Sequence, residues 1–466
     1  MTMDIQKTIT PVDGSVYCER PLATAAELDA VLARADAAQA GWRKTDLAAR
    51  AAICRRFCDL FESKRDAIAL ELTWQMGRPV RYSPSEVRGT LERARYMIDI
   101  AAEALADVDA GPKQDFRRFV RREPLGVVFT VAAWNYPYLI AVNSVVPAIM
   151  AGNAVVLKHS AQTPLCAERF AECLTAAGLP EGVFQVVHLS HAATEAAIRD
   201  PRVDFVAFTG SVAGGHAVQR AASERFIGTG LELGGCDAAY VRHDANLAHA
   251  IENLVDGAFF NSGQSCCGIQ RIYVHERLYD DFVAGAVELT SRYVLGDPTS
   301  PETTLGPVVR ASAAEQIRRQ VAASIAAGAV PAIDETAFPR SVAGTPYLAP
   351  QLLLGVNHQM TVMREEIFGP VAGIMKVSGD EQAIALINDS DFGLTSAVWT
   401  EDAEAGHSIG ERIETGTWFM NRCDYLDPAL AWVGVKDSGR GCTLSRVGYE
   451  HLTRPKSFHL RVRVQG

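Results

Sequence analysis

From Gly126 onward the chain alternates short apolar runs with helix-like stretches, and this rhythm limits the fold more than any other feature. Val127–Val131, Ala154–Leu157, Phe184–Leu189 and Val203–Phe208 read as buried strands. Between them Thr163-Pro164 starts a helix, with the hydroxyl as cap and proline in the first turn, and Gly178-Leu-Pro180 ends it. Strand–helix–strand repetition implies a parallel sheet covered by helices on both faces. A second region of this kind begins after Gly235, with strands at Arg271–His275, Ala372–Lys376 and Ser396–Trp399 and a helix over Ala311–Gly328. The expected fold class is α/β.

The first quarter reads as helical. Thr24 and Glu27 form a capping box, and a helix from about Asp46 carries Ile53, Phe57, Leu60 and Phe61 on one face. Arg117–Glu123 alternates polar and apolar residues as a half-exposed strand does, and Lys456–Val464 is again strand-like. At 466 residues the chain calls for two or three domains, and a 48% hydrophobic composition can bury their cores. Without a repeat or a flexible linker, those domains are expected to pack closely.

Several function classes are excluded early. A net charge of −10 is the opposite of a nucleic-acid footprint. No charged side chain lies between Glu123 and Lys158, a stretch long enough to span a bilayer. Asn135, Pro137, Asn143 and Pro147 interrupt it, however, and polar groups in lipid must be satisfied within the segment. A buried strand, a loop and a buried helix are expected instead. The ten cysteines lack metal-ligand spacing and form no disulfide framework, so no metal is expected. The N-terminal segment through Lys7 lacks the basic and apolar regions of a signal peptide, and a reducing cytoplasm is the expected compartment.

Four segments carry chemistry: Trp134-Asn135, Glu232-Leu-Gly-Gly235, Gln264-Ser-Cys266 and Glu365-Glu-Ile-Phe368. Cys266 lies in Asn261-Ser-Gly-Gln-Ser-Cys266, a small, polar, glycine-containing setting that suits a reactive thiol better than a core. A thiolate there can form a covalent intermediate and divide one difficult step into two. Glu232, between two leucines, is expected to be partly desolvated, which raises a carboxyl pKa toward the range of a general base. Asn135 follows a buried strand and can donate its amide to an oxyanion, with the backbone N–H of Cys266 as second donor. Gly210-Ser211 through Gly215 follows strand Val203–Phe208 and precedes a helix expected near His216, so its backbone can approach a pyrophosphate at a helix N-terminus.

In this order the four segments resemble the aldehyde dehydrogenase superfamily, in its hydrolytic branch. The resemblance runs from about Ile9 to Val464 and continues through Asn388-Asp-Ser-Asp-Phe-Gly-Leu394, Met420-Asn421 and Gly434-Val-Lys-Asp-Ser-Gly439. It implies NAD(P)-dependent oxidation of a small aldehyde to a carboxylic acid, with Cys266 as nucleophile, Glu232 activating the water that hydrolyses the thioester, and Asn135 holding the oxyanion. By the same resemblance NAD or NADP is held by Trp134, Lys158, Gly210, Ser211, Gly215, Glu366 and Phe368. The implied layout is a Rossmann-like cofactor-binding domain (1–111 and 125–235), an α/β catalytic domain (236–440) and a small β arm (112–124 and 441–466). The arm would join protomers into a homodimer or homotetramer.

The chain departs from the family pattern at three places. Ala161 stands where many NAD-preferring members carry a glutamate for the ribose 2′-OH, so a 2′-phosphate meets no repulsion. Cys236 replaces a lysine often found after the two glycines and adds a third thiol. Trp432-Val433-Gly434 replaces a Phe-Gly-Gly. Family alignment puts Tyr136, Ile140, Asn143, Cys267, Leu426 and Trp432 on the substrate tunnel, with no arginine assigned to it. Arg422, close to that wall in sequence, would suit a semialdehyde carboxylate, and Asp424 an amino-aldehyde. The competing readings are acyl transfer to coenzyme A or phosphate, which needs no base such as Glu232, a non-catalytic scaffold, and a cysteine hydrolase for which no histidine lies in a suggestive setting.

Overall fold

The computed structural model describes residues 4–464. Residues 1–3 and 465–466, the extreme ends of the first and last expected units, lie outside that range. Two parallel-based sheets dominate. In the first, the strands run in the spatial order Gly228–Glu232, Val203–Thr209, Val127–Ala132, Ala154–His159, Phe184–Val186, with the short Gly439–Arg440 added antiparallel beside Gly228–Glu232. The chain thus starts in the middle, runs to one edge, and returns to build the other half. Strand order reverses between Val127–Ala132 and Val203–Thr209, and in open α/β sheets ligands bind at the carboxyl ends of the strands at such a point.

The second sheet has seven strands, in the order Val330–Pro331, Gln351–Leu354, Val371–Val377, Ile269–His275, Asp237–Val241, Thr395–Trp399, Thr417–Met420. All of its pairs are parallel except the first. The charge-free stretch after Glu123 is a fully buried strand followed by helix Pro137–Ala151, which is also almost entirely buried. Among the described residues no helix is long and apolar enough to cross a membrane. The capping box at Thr24 and Glu27 is present, opening helix Ala25–Trp42. The Asp46 helix runs over Leu47–Ser63 and buries Cys54, Phe57, Cys58 and Phe61.

Phe116–Pro124 and Thr453–Arg461 pair antiparallel over nine residues each, with Val108–Asp109 on the other edge of Phe116–Pro124. Phe119 stacks on Phe458 at 4.6 Å and Phe116 on His459 at 4.7 Å, cross-strand pairs that fix the register. Helix Ser445–His451, numbered within the expected arm, packs on helices Ser83–Ala104 and Pro137–Ala151 as well as on the arm strand Thr453–Arg461. Likewise Gly439–Arg440, expected with the second region, belongs to the first sheet.

Other local expectations change for identifiable reasons. A hairpin of Ile5–Ile9 and Val16–Pro21 precedes the helices; its mostly exposed residues lack the alternation that signals a strand. The Thr163 hydroxyl does not cap its helix but pairs with Nδ1 of buried His159 at 3.1 Å. The strand at Phe184 ends at Val186, after which the His188 carbonyl accepts from Ala23 N–H. The helix expected near His216 starts at Val212, capped by Ser211 Oγ, which accepts from Gly214 N–H at 3.2 Å. Two glycines in a first turn look like a loop, because glycine is a poor helix former. Here they let the helix lie on the sheet: a Cβ on Gly214 would come within 2.7 Å of the Phe208 ring, and one on Gly215 within 2.6 Å of Leu233.

Candidate active site

The site forms where loops from both sheets meet. Asn261 and Ser262 adopt left-handed backbone (φ 54° and 57°) and Gly263 follows at φ 70°, a tight turn that ends helix Leu247–Phe259 and leads to Cys266. The Gly234-Gly235 turn crosses directly behind this loop, and any side chain at Gly235 would overlap the Cys266 carbonyl. The two motifs are therefore locked together by backbone contact. A side chain at Gly234 would overlap the Glu366 carboxylate, and Gly235 N–H donates to Glu366 Oε1 at 3.1 Å. Three segments distant in sequence converge on one pair of glycines.

Cys266 is half-buried and opens on a cavity of about 610 Å³ whose walls include Glu232, Tyr136, Ile140, Asn143, Cys267, Leu426 and Trp432. Every expected tunnel residue is on that wall. Glu232 Oε1 accepts from Thr443 Oγ1 at 2.6 Å and Oε2 from Thr209 Oγ1 at 3.1 Å. Burial raises its pKa, while the two hydroxyls and the Arg93 charge pull the other way. Glu232 also lines a second, small cavity of about 30 Å³ together with Cys442 and His451. Asn135 is buried; its amide donates to the Gln264 carbonyl at 3.2 Å, one residue before the Ser265-Cys266 step. An amide NH2 carries two hydrogens, so one donor remains for an oxyanion.

The cofactor candidates gather at the carboxyl ends of the first sheet. Lys158 lies near the end of strand Ala154–His159, half-buried, with its pKa lowered by burial and no ion pair to any described residue. Gly210 N–H donates to the Glu232 carbonyl at 3.0 Å, so the Ser211 helix start and Glu232 share one backbone frame. Trp134 meets Phe368 edge to face at 5.6 Å. Burial pushes Glu366 up to about 7.

Three expectations about neighbouring residues change. Arg422 is exposed and stacks at 4.0 Å on the ring of Tyr425, which lines the cavity, while Arg422 itself is not part of the cavity wall. Asp424 accepts from Cys267 Sγ at 2.8 Å and Ser265 Oγ at 3.1 Å, and burial pushes it up to about 7; it is a braced group of the loop and not a free anion for an amine. Cys236 is 1% exposed, accepts from Gln270 Nε2 at 3.3 Å, and is pushed up to about 12 by burial, so it is an inert packing thiol.

Sequence reasoning missed the polar scaffold beneath the site. Arg78, 2% exposed, pairs with Glu86 and donates to Asn261 Oδ1 at 3.0 Å and to the Asn135 carbonyl at 2.5 Å. Glu86 also accepts from Tyr138 N–H at 3.0 Å and Leu139 N–H at 3.2 Å, satisfying the free amides at the start of helix Pro137–Ala151. One guanidinium thus ties the Asn135 loop to the Cys266 loop. The available signal was faint: Glu86, Thr90 and Arg93 recur on the buried face of helix Ser83–Ala104. Removing one partner of a buried pair leaves an uncompensated charge, so Arg78→Met is expected to lower stability by about 3–5 kcal/mol. The readout is the urea unfolding midpoint, and adding Glu86→Leu is expected to restore part of the loss.

Residues 2–458 match the profile of the aldehyde dehydrogenase family. The chain belongs to that family. It is 36% identical over 453 residues to a succinate-semialdehyde dehydrogenase, designated for NADP(+), of Mycobacterium avium (strain 104), covering 97% of this chain and 95% of that one. A protein of the same designation from Mycobacterium ulcerans (strain Agy99) is 36% identical over 453 residues, covering 97% and 98%. The succinic semialdehyde dehydrogenase from Streptococcus pyogenes, solved in complex with NADP+, superposes with a TM-score of 0.93 at 30% identity, over 98% of this chain and 99% of that one. PnpE, solved with nicotinamide adenine dinucleotide, gives 0.94 at 29% identity, over 99% and 95%. This dehydrogenase is an oxidoreductase that oxidises an aldehyde with NAD(P)+. Acyl transfer to coenzyme A is not favoured.

Proposed function

We propose that this aldehyde dehydrogenase oxidises a short aldehyde bearing a carboxylate, prefers NADP+, and works through Cys266, Glu232 and Asn135. The observation that carries the reading is one cavity whose wall holds both the half-buried Cys266 and Glu232, with the buried Asn135 amide bonded to the Gln264 carbonyl of the same loop. Cys266 Sγ attacks the carbonyl carbon; the Asn135 amide and the Cys266 N–H hold the oxyanion that forms. The nicotinamide, when bound, accepts the hydride. Glu232 then takes a proton from the water that attacks the thioester and frees Cys266 with release of the acid.

The residues fit a nicotinamide dinucleotide. Lys158 is an uncommitted ammonium near the carboxyl end of its strand in the first sheet, the sheet whose strand Val203–Thr209 leads into the helix that starts at Val212. Glu366, Phe368 and Trp134 lie toward Gly235 and the catalytic loop. Two mycobacterial relatives are designated for NADP(+), and Ala161, exposed after Lys158, offers no carboxylate against a 2′-phosphate. Ala161→Glu is expected to shift the NADP+/NAD+ ratio of kcat/KM toward NAD+ by about 10-fold, roughly 1.4 kcal/mol. Initial rates with each cofactor check it, and an unchanged ratio would remove Ala161 from the argument. The domain division given above is retained, with Gly439–Arg440 moved to the cofactor domain, and the paired strands Phe116–Pro124 and Thr453–Arg461 joining protomers as a dimer or tetramer. Ten free cysteines suit a reducing cytoplasm.

A further inference from the structure

The catalytic cavity holds a cation that the mechanism does not use. Arg93, on helix Ser83–Ala104, is 8% exposed and lines the cavity with Cys266, Cys267 and Asn143. Its Nη1 donates to the Leu139 carbonyl at 3.0 Å and to Asn143 Oδ1 at 3.2 Å. Nε and Nη2 have no bond to any described residue, yet neither is a sealed orphan. Arg93 also forms no ion pair with a described carboxylate, although isolated buried charges are costly.

The acids around it are already engaged. Glu86 belongs to Arg78, Glu92 accepts from the Tyr425 hydroxyl at 2.9 Å, Asp424 is held by Ser265 and Cys267, and Glu232 by Thr209 and Thr443. Glu252 and Asp256 are exposed at the rim, as is Arg88. A guanidinium anchored at one corner with its Nε–Nη2 edge open has the fork geometry that matches a carboxylate with two parallel hydrogen bonds.

We propose that Arg93 is the specificity-determining residue of the tunnel, its open Nε–Nη2 edge binding the far carboxylate of an ω-oxo acid whose aldehyde carbon lies at Cys266. Asn143 and the Leu139 carbonyl orient the guanidinium. The inference rests on the carboxylated-aldehyde reading above and names the group that recognises the carboxylate.

The test compares kcat/KM for 4-oxobutanoate and butanal, two four-carbon aldehydes differing in the carboxylate, for the wild type, Arg93→Met and Arg93→Lys. Arg93→Met is expected to lose roughly 100-fold more on 4-oxobutanoate than on butanal, mostly in KM. Both are measured well above the Glu232 pKa, because the substitution removes the Arg93 charge that lowers it. Arg93→Lys keeps the charge without the fork and is expected to fall between. Succinate, which offers the same carboxylate, is expected to inhibit butanal oxidation competitively in the wild type and much more weakly in Arg93→Lys, a readout that survives if the methionine variant folds poorly. Equal losses on both aldehydes would mean that Arg93 acts on Cys266 or Glu232 and would overturn the inference, as would a preference for 4-oxobutanoate that survives both substitutions. A wild type indifferent to the carboxylate would instead sink the substrate reading itself.

Discussion

Cys266→Ala is expected to lower kcat by roughly 10⁵-fold or more while leaving the fold and cofactor affinity intact, the scale seen when an enzyme loses its nucleophile. The reason is chemical: without the thiol there is no thiohemiacetal from which hydride can leave, and no other cysteine can replace it. Cys267 is buried one residue away, and its hydrogen bond with Cys266, burial and the Asp424 charge all hold it as a thiol. Cys236 is pushed up to about 12 by burial, and the Cys423 thiol is raised in the same way. Cys266 is half-buried where Cys267 is buried, and it lies on the cavity wall two residues after the Gln264 carbonyl that accepts from the Asn135 amide. The measurement is reduced-nicotinamide formation at 340 nm with about 10⁵-fold dynamic range, obtained by raising enzyme concentration. Retention of even a few per cent of wild-type turnover would assign the nucleophile elsewhere, and Cys267→Ala would be the next variant to examine.

Glu232→Gln is expected to separate the two halves of the reaction. Glutamine keeps the size; its oxygen can still accept from one threonine hydroxyl while its NH2 donates to the other, so the side chain stays held between Thr443 and Thr209. Acylation and hydride transfer need only Cys266 and the oxyanion donors; thioester hydrolysis needs the base. Rapid mixing should therefore show a burst of about one reduced nicotinamide per active site, followed by a steady rate about 10²- to 10⁴-fold below wild type, the usual contribution of a positioned base. The pH profile gives the second check. A base must be ionised to act, and burial raises the Glu232 pKa. Wild-type kcat is thus expected to fall as pH drops through that raised pKa, and this limb should vanish in Glu232→Gln. Absence of the burst would reassign Glu232 to activation of the Cys266 thiol.

Local pattern made the backbone plan legible. Apolar runs of four or five residues between helix signals marked Val127–Ala132 and Ala154–His159 in the first sheet and Val371–Val377 and Thr395–Trp399 in the second, because a buried parallel strand needs an unbroken apolar run. Asp237–Val241, in the middle of the second sheet, was not recognised. The pattern also failed where two demands fell on one residue. Gly214 and Gly215 look like loop residues and are helix residues, since the close approach of Phe208 and Leu233 outweighs their weak propensity. Thr163 looks like a cap and is a partner for His159, since a buried imidazole also needs satisfying. Exposed strands such as Ile5–Ile9 gave no signal, because nothing on their faces has to be apolar.

The candidate site divides in the same way. Cys266, Glu232 and Asn135 are proposed from residue type and the family resemblance, and the structure brings their segments together through the backbone crossing at Gly235 and the Asn135 bond to the Gln264 carbonyl. Arg78, Glu86, Arg93, Thr209 and Thr443 were not legible in that way. They come from helices, loops and a strand end up to hundreds of residues away, and an arginine on a helix looks the same whether it faces water or a cavity. The sequence by itself determined the fold class, the reaction class and the three groups proposed to act on the aldehyde. Only the tertiary structure decided which charges are buried, which of them are already paired, and that Arg93 is left with an open edge in the cavity, because burial and pairing are properties of converging surfaces that no local window contains.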